Sequence, residues 1–147
     1  MASLLRRARG DKGAALIEVA LTLPLLLLVS VGIFEFGRAY QTWQVLTNAA
    51  REGARVAVLP DSTDEAVEDR ARNYMEAGQL PEFDTADIEI TRDNDIDIGG
   101  APTTASQVVI NYPFSFIVLQ PVASLVVPGT SLGSPIIMAA AAMMRNE

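Results

Sequence analysis

The 147-residue sequence contains no cysteine and no histidine. Without cysteine the chain forms no disulfide and performs no thiol chemistry, although its compartment stays open, because exported bacterial domains can also lack cysteine. Without histidine it lacks the usual general base near neutral pH, and the two absences remove the commonest metal ligands. Neither a G-x-S-x-G elbow nor a phosphate-binding loop is present. The sequence therefore predicts a protein that is not an enzyme, with no catalytic residues, no cofactor and no metal.

Charge is unevenly distributed along the chain. The first twelve residues hold four basic residues and one acid, whereas the window from Asp61 to Asp97 holds thirteen acidic residues against three arginines. An acidic surface disfavours nucleic acid, because binding to phosphates requires clustered Lys and Arg. Asp93, Asp95 and Asp97 alternate as in a calcium loop, but the glycine and the terminal glutamate of such a loop are missing. We interpret this segment as a solvated acidic turn, and we expect no nucleic acid partner.

An apolar run near the N-terminus predicts a transmembrane helix. Residues 14–37 include only Glu18 and Glu35 as charged residues, and as a helix they span about 36 Å, enough to cross a bilayer core of about 30 Å. A cleaved signal peptide is one alternative, but the run is too long and no A-x-A site follows it. A buried core helix is the other, but the run has no polar face. Because basic residues beside a span tend to stay in the cytoplasm, we expect the chain after residue 37 to lie outside a bacterial inner membrane.

Glu18 is unusual, because a carboxylate inside an apolar span costs about 2 to 3 kcal/mol when it has no partner. One interpretation is that its side chain reaches the lipid headgroups. The other uses its spacing from Gly13, a residue whose missing side chain suits a narrow protease site. Cleavage after Gly13 makes Ala14 the new N-terminus and Glu18 the fifth residue of the mature chain. The amine of Ala14 in one subunit can then pair with Glu18 of its neighbour and neutralise both charges in lipid.

Residues 13–40 read GAALIEVALTLPLLLLVSVGIFEFGRAY and resemble the N-terminus of the type IV pilin superfamily. Extended through QTWQVLTNAAREGARVAV, the sequence is similar to the TadE-like family of the Tad (tight adherence) pilus system. The most specific parts of the resemblance are Gly13 with Glu18, Pro24, and the AAREGAR run that ends at Arg55. The C-terminal MMRNE is a looser similarity.

The resemblance implies a minor pseudopilin that takes part in pilus assembly. It implies that a membrane-embedded aspartyl prepilin peptidase cuts between Gly13 and Ala14, and that Glu18 serves in processing and assembly. It leaves N-methylation of Ala14 open. Val19 stands where related major pilins often carry an aromatic residue, which argues against a major subunit.

The partners that the resemblance implies are other pilins or pseudopilins, the inner-membrane assembly platform, the prepilin peptidase and inner-membrane lipid. The alternative function is a single-pass membrane protein that displays an extracytoplasmic binding domain and does not polymerise.

We expect one long helix that contains Pro24 and ends before Pro60. Its first part is transmembrane, to about residue 37, and its second part, residues 38–58, is amphipathic. Small and apolar residues at steps of three and four predict a packed stripe in the second part: Trp43, Leu46, Ala50, Gly53 and Ala57. We assign helix packing to five residues: Pro24, Trp43, Ala50, Gly53 and Arg55.

The expected organisation is a basic leader (1–13), the long helix (14–58) and a soluble extracytoplasmic head (59–147). In the head, Ser62 and Glu65 fit a capping box for a second helix, which Gly78 ends.

Alternation of apolar residues predicts two strands, one containing Ile88 to Ile90 and one containing Val108 to Tyr112. Residues 114–127 are apolar but short and contain Pro121, so we interpret them as strand and buried loop. Contact of this segment with the membrane surface or a partner subunit is the alternative. We interpret residues 136–144 as the last strand, because two β-branched isoleucines open it. The elements predict an α+β, pilin-like fold, in which the long helix packs on a short helix and a small antiparallel sheet.

Overall fold

The computed structural model describes residues 2–99 and 101–146, with side chains for residues 13–97, 99, 103–124 and 127–146. Its elements are α1 (Ala2–Ala57), α2 (Asp64–Ala77), a 3-10 turn (Phe83–Thr85), β1 (Asp87–Ile98), β2 (Ala101–Phe114), α3 (Leu119–Val126) and β3 (Ile136–Arg145). The predicted α+β, pilin-like architecture of a long helix, a shorter helix and a small antiparallel sheet is confirmed. The basic side chains of the predicted leader lie outside the described residues.

The chain divides into two compact units. One consists of the part of α1 that precedes Arg38 together with Phe116–Ser134, which contains α3. The other consists of Arg38–Ser115 and the chain from Pro135 onward. The sheet and α2 therefore belong to the same unit as the amphipathic part of α1.

The sheet has three antiparallel strands in the order β1-β2-β3. β1 pairs with β2 along its length, and the register shifts once, between Thr91 and Asn94. The shift is a β-bulge, in which Asp93 adopts a φ of 55°. The prediction of an acidic turn at residues 93–97 is therefore wrong. These residues continue β1, because the bulge accommodates the extra residue while pairing with β2 resumes.

β3 forms one edge of the sheet and pairs with β2 without a register shift. The predicted strand at residues 136–144 is confirmed, and Ile136 and Ile137 open it. No charged residue occurs between Asp97 and Arg145. β3 is thus a regular and almost neutral edge, whereas β1 at the opposite edge is acidic and bulged.

The core of the larger unit lies between α1, α2 and one face of the sheet. Its fully buried apolar side chains include Leu46 and Ala50 from α1, Val67, Ala71 and Met75 from α2, and Val108 and Ile110 from β2. The even-numbered residues of β2 from Val108 onward face this core, as the period of two along a strand requires. Burying each large apolar side chain contributes about 1.5 to 3 kcal/mol to stability. Both predicted strands, around Ile88 and around Val108, are confirmed.

α2 begins one residue later than the capping box predicted. Thr63 is its N-cap, with a hydroxyl that accepts the N–H of Ala66 at 3.2 Å. The hydroxyl of Ser62 instead accepts a hydrogen bond from Arg92 Nη1 at 3.2 Å. The prediction that Ser62 caps this helix is therefore wrong, because a distant arginine engages its side chain. Gly78 ends α2, as predicted.

Residues 119–126 form α3, so the prediction of strand and buried loop there is wrong. Pro121 is compatible with the helix because it lies in the first turn, where backbone N–H groups have no acceptor within the helix. After α3 the chain folds back at Gly133, which has a φ of 82°. A Cβ atom on Gly133 would stand 2.6 Å from the backbone nitrogen of Gln120, so only glycine permits this close approach to α3.

Candidate functional site

Residues 14–27 of α1 are exposed around the whole circumference of the helix in the single chain. The segment Gly13–Ala57 contains an 18-residue window of mean hydropathy 2.4, none of which is buried, so α1 is long and apolar enough to cross a membrane. The large side chains of α1 that are more than 60% exposed include Leu16, Leu21, Leu25, Ile33 and Phe34. An apolar surface of this extent is stable only when lipid or other apolar helices cover it.

Gly13, Ala14 and Glu18 lie on an uninterrupted stretch of α1. Ala14 and Glu18 are four residues apart and both exposed, so they share one face of the helix. A Cβ atom on Gly13 would meet no atom within 4 Å. A larger residue at position 13 therefore disturbs no contact within the described chain, and its effects would report on an external partner. The predicted cleavage and assembly roles stay predictions.

α1 is continuous through its apolar part, although this part contains a proline and two hydroxyl residues. Pro24 lies inside α1 without ending it and supplies no N–H to the helix. Thr22 Oγ1 donates to the carbonyl oxygen of Glu18 at 2.9 Å, and Ser30 Oγ donates to that of Leu26 at 2.8 Å. Because both hydroxyls find acceptors within the helix, neither requires water, which suits a span in lipid. The packing role assigned to Pro24 stays a prediction.

The amphipathic part of α1 packs through small residues. Ala50 and Gly53 are both buried. A Cβ atom on Gly53 would lie 3.4 Å from Val108 Cγ1 and 3.6 Å from Ala71 Cβ. Gly53 therefore brings the backbone of α1 close to both β2 and α2.

Trp43 and Arg55 lie away from this packed face. Trp43 is 43% exposed, and its ring centroid stands 6.2 Å from that of Tyr40. The prediction that Trp43 belongs to the packed stripe is wrong, because Thr42 and Leu46 are the buried residues at this level and the indole falls outside them. Arg55 is exposed. No contact of the described chain tests the helix-packing roles assigned to Trp43 and Arg55, which stay predictions.

An ion pair connects α1 to α2. Arg70 Nη2 and Nε donate to Glu52 Oε2 at 2.7 and 3.2 Å. These hydrogen bonds hold the pKa of the Glu52 carboxyl below its ordinary value. Both side chains are partly exposed, so the pair contributes modestly to stability.

Arg92 joins three segments at the end of α1. Its Nη1 donates to the carbonyl oxygen of Ala57, the last residue of α1, at 2.8 Å. Its Nε donates to Asp64 Oδ1 at 2.8 Å, in the first turn of α2, and Nη1 also reaches Ser62. Its Nη2 is buried and has no hydrogen-bond partner among the residues that the structure describes. The sequence shows Arg92 only as one of three arginines in an acidic window, and its contacts with distant segments could not be predicted from neighbouring residues.

Two further side chains fix the chain near the end of β2. Arg38 donates through Nη2 to the carbonyl oxygen of Ser115, and its guanidinium carbon lies 4.3 Å from the centre of the Phe114 ring, a cation–π contact. The hydroxyl of Tyr112 donates to the carbonyl oxygen of Pro81. Burial raises the pKa of Tyr112 above its ordinary value, and the negative charge of Glu82 adds to the rise while Arg38 opposes it.

Glu35 makes a long-range contact that could not be predicted from the sequence. Its side chain is fully buried, and Oε1 accepts the backbone N–H of Ile117 at 2.8 Å and that of Val118 at 2.6 Å. These residues precede α3, whose N-cap residue Val118 offers no side-chain cap. The carboxylate of Glu35 therefore caps α3 from across the chain. The available signal was a carboxylate at the end of an apolar run.

Among the described residues, no group of three or more acidic side chains is arranged to hold a metal ion. Asp93, one of the alternating acids in β1, instead accepts a hydrogen bond from the side-chain amide of Asn146 at 2.8 Å.

The features of α1 agree with a comparison against known protein families. Residues 13–55 match the family of TadE-like proteins. The resemblance predicted from the sequence is confirmed over these residues. No curated protein and no solved structure matches the chain.

The TadE-like segment begins at the predicted cleavage position and ends at Arg55. It contains all the predicted site residues: Gly13, Ala14, Glu18, Pro24, Trp43, Ala50, Gly53 and Arg55. It does not include the C-terminal MMRNE. TadE-like proteins form a structural pilus family, so the match supports a function connected with the Tad pilus. The long apolar helix within the TadE-like segment is compatible with a single-pass membrane protein.

Proposed function

We propose that the chain is a minor pilin-like subunit that takes part in assembling a Tad-type pilus or a related secretion or adhesion machine. The observation that carries this proposal is the coincidence of the TadE-like segment with a helix whose most apolar window has no buried residue. A subunit that assembles through its N-terminal helix requires such a surface, because neighbouring helices and lipid cover it in turn.

The proposed order of events begins with insertion of α1 into the inner membrane, with the basic leader in the cytoplasm and the head outside. A prepilin peptidase then cuts between Gly13 and Ala14. The cut removes a leader with a net charge of about +3 and leaves a mature chain near −10. The new amine of Ala14 pairs with Glu18 of a neighbouring subunit, which neutralises both charges in an apolar bundle. The exposure of both residues on one face of α1 supports this pairing.

The cleavage step is tested by Gly13→Leu in the native host, with Gly10→Leu as a matched control inside the leader. We expect Gly13→Leu to keep the leader, because a bulky side chain enters the protease site, and Gly10→Leu to be processed normally. Intact mass and N-terminal sequencing measure the result. If the wild-type chain isolated from the host still begins at Met1, the proposal of a processed pilin is contradicted.

The assembly step is tested by Glu18→Ala and Glu18→Gln, with Glu52→Ala as a control carboxylate outside the apolar run. Removing one partner of a buried ion pair costs about 3 kcal/mol or more, which corresponds to roughly a hundredfold in a subunit association constant. We expect both Glu18 variants to insert into membranes as the wild type does but to form far fewer fibres. Carbonate extraction measures insertion, and electron microscopy of sheared fibres measures assembly. Normal fibres from both Glu18 variants would refute the pairing mechanism.

A further inference from the structure

Glu35 ties α3 to the end of the apolar run in α1. The uncharged stretch of α1 ends at Phe34, immediately before Glu35. The carboxylate of Glu35 holds the two backbone N–H groups that precede α3, at 2.6 and 2.8 Å. A hydrogen bond to a charged acceptor is roughly twice as strong as one between neutral groups. The start of α3 is therefore held at the level where the apolar run stops.

This level corresponds to the far boundary of a bilayer. Ala14 and Glu35 are 21 residues apart in a continuous helix, which places them about 32 Å apart along its axis. The hydrocarbon core of a bilayer is about 30 Å thick. When Ala14 lies at one boundary, Glu35 lies at the other, and α3 starts there with it.

The segment Phe116–Ser134 combines an absence of charge with exposed apolar side chains. It contains no Asp, Glu, Lys or Arg. The exposed fractions are 65% for Ile117, 57% for Val127 and 50% for Leu132. Apolar side chains are therefore exposed both before and after α3 in the chain. Gln120, Pro121 and Ser124 of α3 are exposed as well, which gives the segment a mixed apolar and polar surface. Such a surface suits the boundary between headgroups and acyl chains.

Aromatic side chains occur at the same level. The Phe36 and Phe116 rings meet edge to face, with centroids 6.3 Å apart, and Phe36 remains 64% exposed. Gly133 also lies close to the backbone of Gln120, which brings the end of the segment back against α3. The segment around α3 is thus fastened at its start by Glu35 and near its end by the contact of Gly133 with Gln120.

We propose that Phe116–Ser134 lies on the outer surface of the membrane in which α1 is anchored, with Ile117, Val127 and Leu132 inserted at the boundary between headgroups and acyl chains. The partner is a lipid surface, and Glu35 is the positioning residue that keeps the segment at the end of the span. The inference rests on the proposed function in one respect, namely that α1 spans a membrane. It adds a second lipid contact, which fixes the depth at which α1 sits before the subunit is assembled.

The chain has no cysteine, so single cysteines report on one position each. The full-length protein is reconstituted into vesicles of phosphatidylethanolamine and phosphatidylglycerol at a ratio of about three to one, which supply a bilayer surface of defined composition. An environment-sensitive fluorophore is attached at Ile117→Cys, Val127→Cys or Leu132→Cys. Phe34→Cys is the control for the span, and Glu89→Cys, on an exposed position of the acidic strand β1, is the control for water.

We expect lipids brominated near the headgroup to quench the three test positions more strongly than lipids brominated near the chain ends, and Glu89→Cys to stay unquenched. Glu35→Ala should abolish quenching at the test positions while quenching at Phe34→Cys persists. Glu35→Gln, which keeps an acceptor oxygen, should retain part of the quenching at the three test positions.

Quenching at Phe34→Cys without quenching at the three test positions overturns the inference and leaves the membrane span intact. Absence of quenching at Phe34→Cys as well overturns the span, and with it the proposed function. Protection of the test positions that depends on protein concentration and not on brominated lipid shows that another subunit covers the segment, and it also overturns the lipid contact.

Discussion

Replacing Gly78 by alanine is expected to destabilise the head, although its backbone conformation accepts any residue. Gly78 follows α2 with φ −76° and ψ 2°, a conformation in which alanine normally gains about 0.4 to 1 kcal/mol by restricting the unfolded chain. Here the added Cβ would stand 2.5 Å from Val45 Cγ1 and 3.0 Å from Val45 Cγ2. Close approach to α1, and not backbone freedom, is therefore the reason for glycine at this position.

The steric clash with Val45 outweighs the gain that alanine makes by restricting the unfolded chain. Val45 is β-branched and lies in the middle of α1, where one χ1 rotamer is strongly preferred, so its methyl groups cannot turn away at low cost. The overlap instead separates α2 from α1, and overpacking of this kind costs about 1 to 3 kcal/mol. The expected net effect of Gly78→Ala is a loss of about 1 to 2 kcal/mol in the free energy of unfolding.

The assay is urea unfolding of the full-length protein in detergent micelles, followed by the fluorescence of Trp43, the single tryptophan of the sequence. In a Val45→Ala background the obstructing methyl groups are absent, so Gly78→Ala should become neutral or stabilising. Gly53→Ala is the contrasting variant, because its Cβ would make ordinary contacts of 3.4 to 3.6 Å, and it should stabilise the head by about 1 kcal/mol through helix propensity. Equal losses from Gly78→Ala in both backgrounds would refute the steric explanation.

Three other substitutions follow from the contacts of the larger unit. Arg92→Ala should lower the free energy of unfolding by about 2 to 3 kcal/mol, because it removes hydrogen bonds to three segments. Arg92→Lys should recover only part of this stability. Urea unfolding measures both variants. Folding lowers the pKa of Glu52, so the ionised carboxylate stabilises the folded state at pH values above the ordinary glutamate pKa. This stabilisation is lost as pH falls through the pKa of Glu52 in the folded state. Arg70→Ala should reduce the loss, as acid titrations of stability would measure. Folding raises the pKa of Tyr112, so the stabilisation that the protonated hydroxyl provides is complete at pH values below the ordinary tyrosine pKa. It is lost as pH rises through the pKa of Tyr112 in the folded state. Tyr112→Phe should therefore lower stability at neutral pH by about 1 kcal/mol and flatten its dependence on alkaline pH, as thermal melts across that range would measure.

Features encoded by neighbouring residues could be predicted from the sequence. The apolar run of α1 follows from composition, and the end of α2 follows from Gly78. β2 and β3 follow from alternation and from β-branched residues at Ile136 and Ile137. The TadE-like segment was recognisable for the same reason, because its motif is contiguous from Gly13 to Arg55.

Features that depend on distant side chains could not be predicted in this way. α3 lacks a local capping residue, since its cap comes from Glu35, more than 80 positions earlier in the chain. The start of α2 moved from Ser62 to Thr63 because Arg92, 30 residues further on, engages the Ser62 hydroxyl. In each case local propensity allowed several outcomes, and a tertiary hydrogen bond selected one of them.

The difference between the two edges of the sheet bears on how copies of this protein can add to one another. An edge strand offers unpaired backbone groups to another strand, but charges and a bulge oppose such pairing at β1. Of the two edges of the described sheet, β3 is left as the competent one, and two copies joined through β3 have no further competent sheet edge among the described residues. Strand addition between copies is therefore a closed reaction that stops at a pair. Open-ended growth of a filament requires a surface that can be occupied on two sides at once, and the exposed circumference of α1 is such a surface.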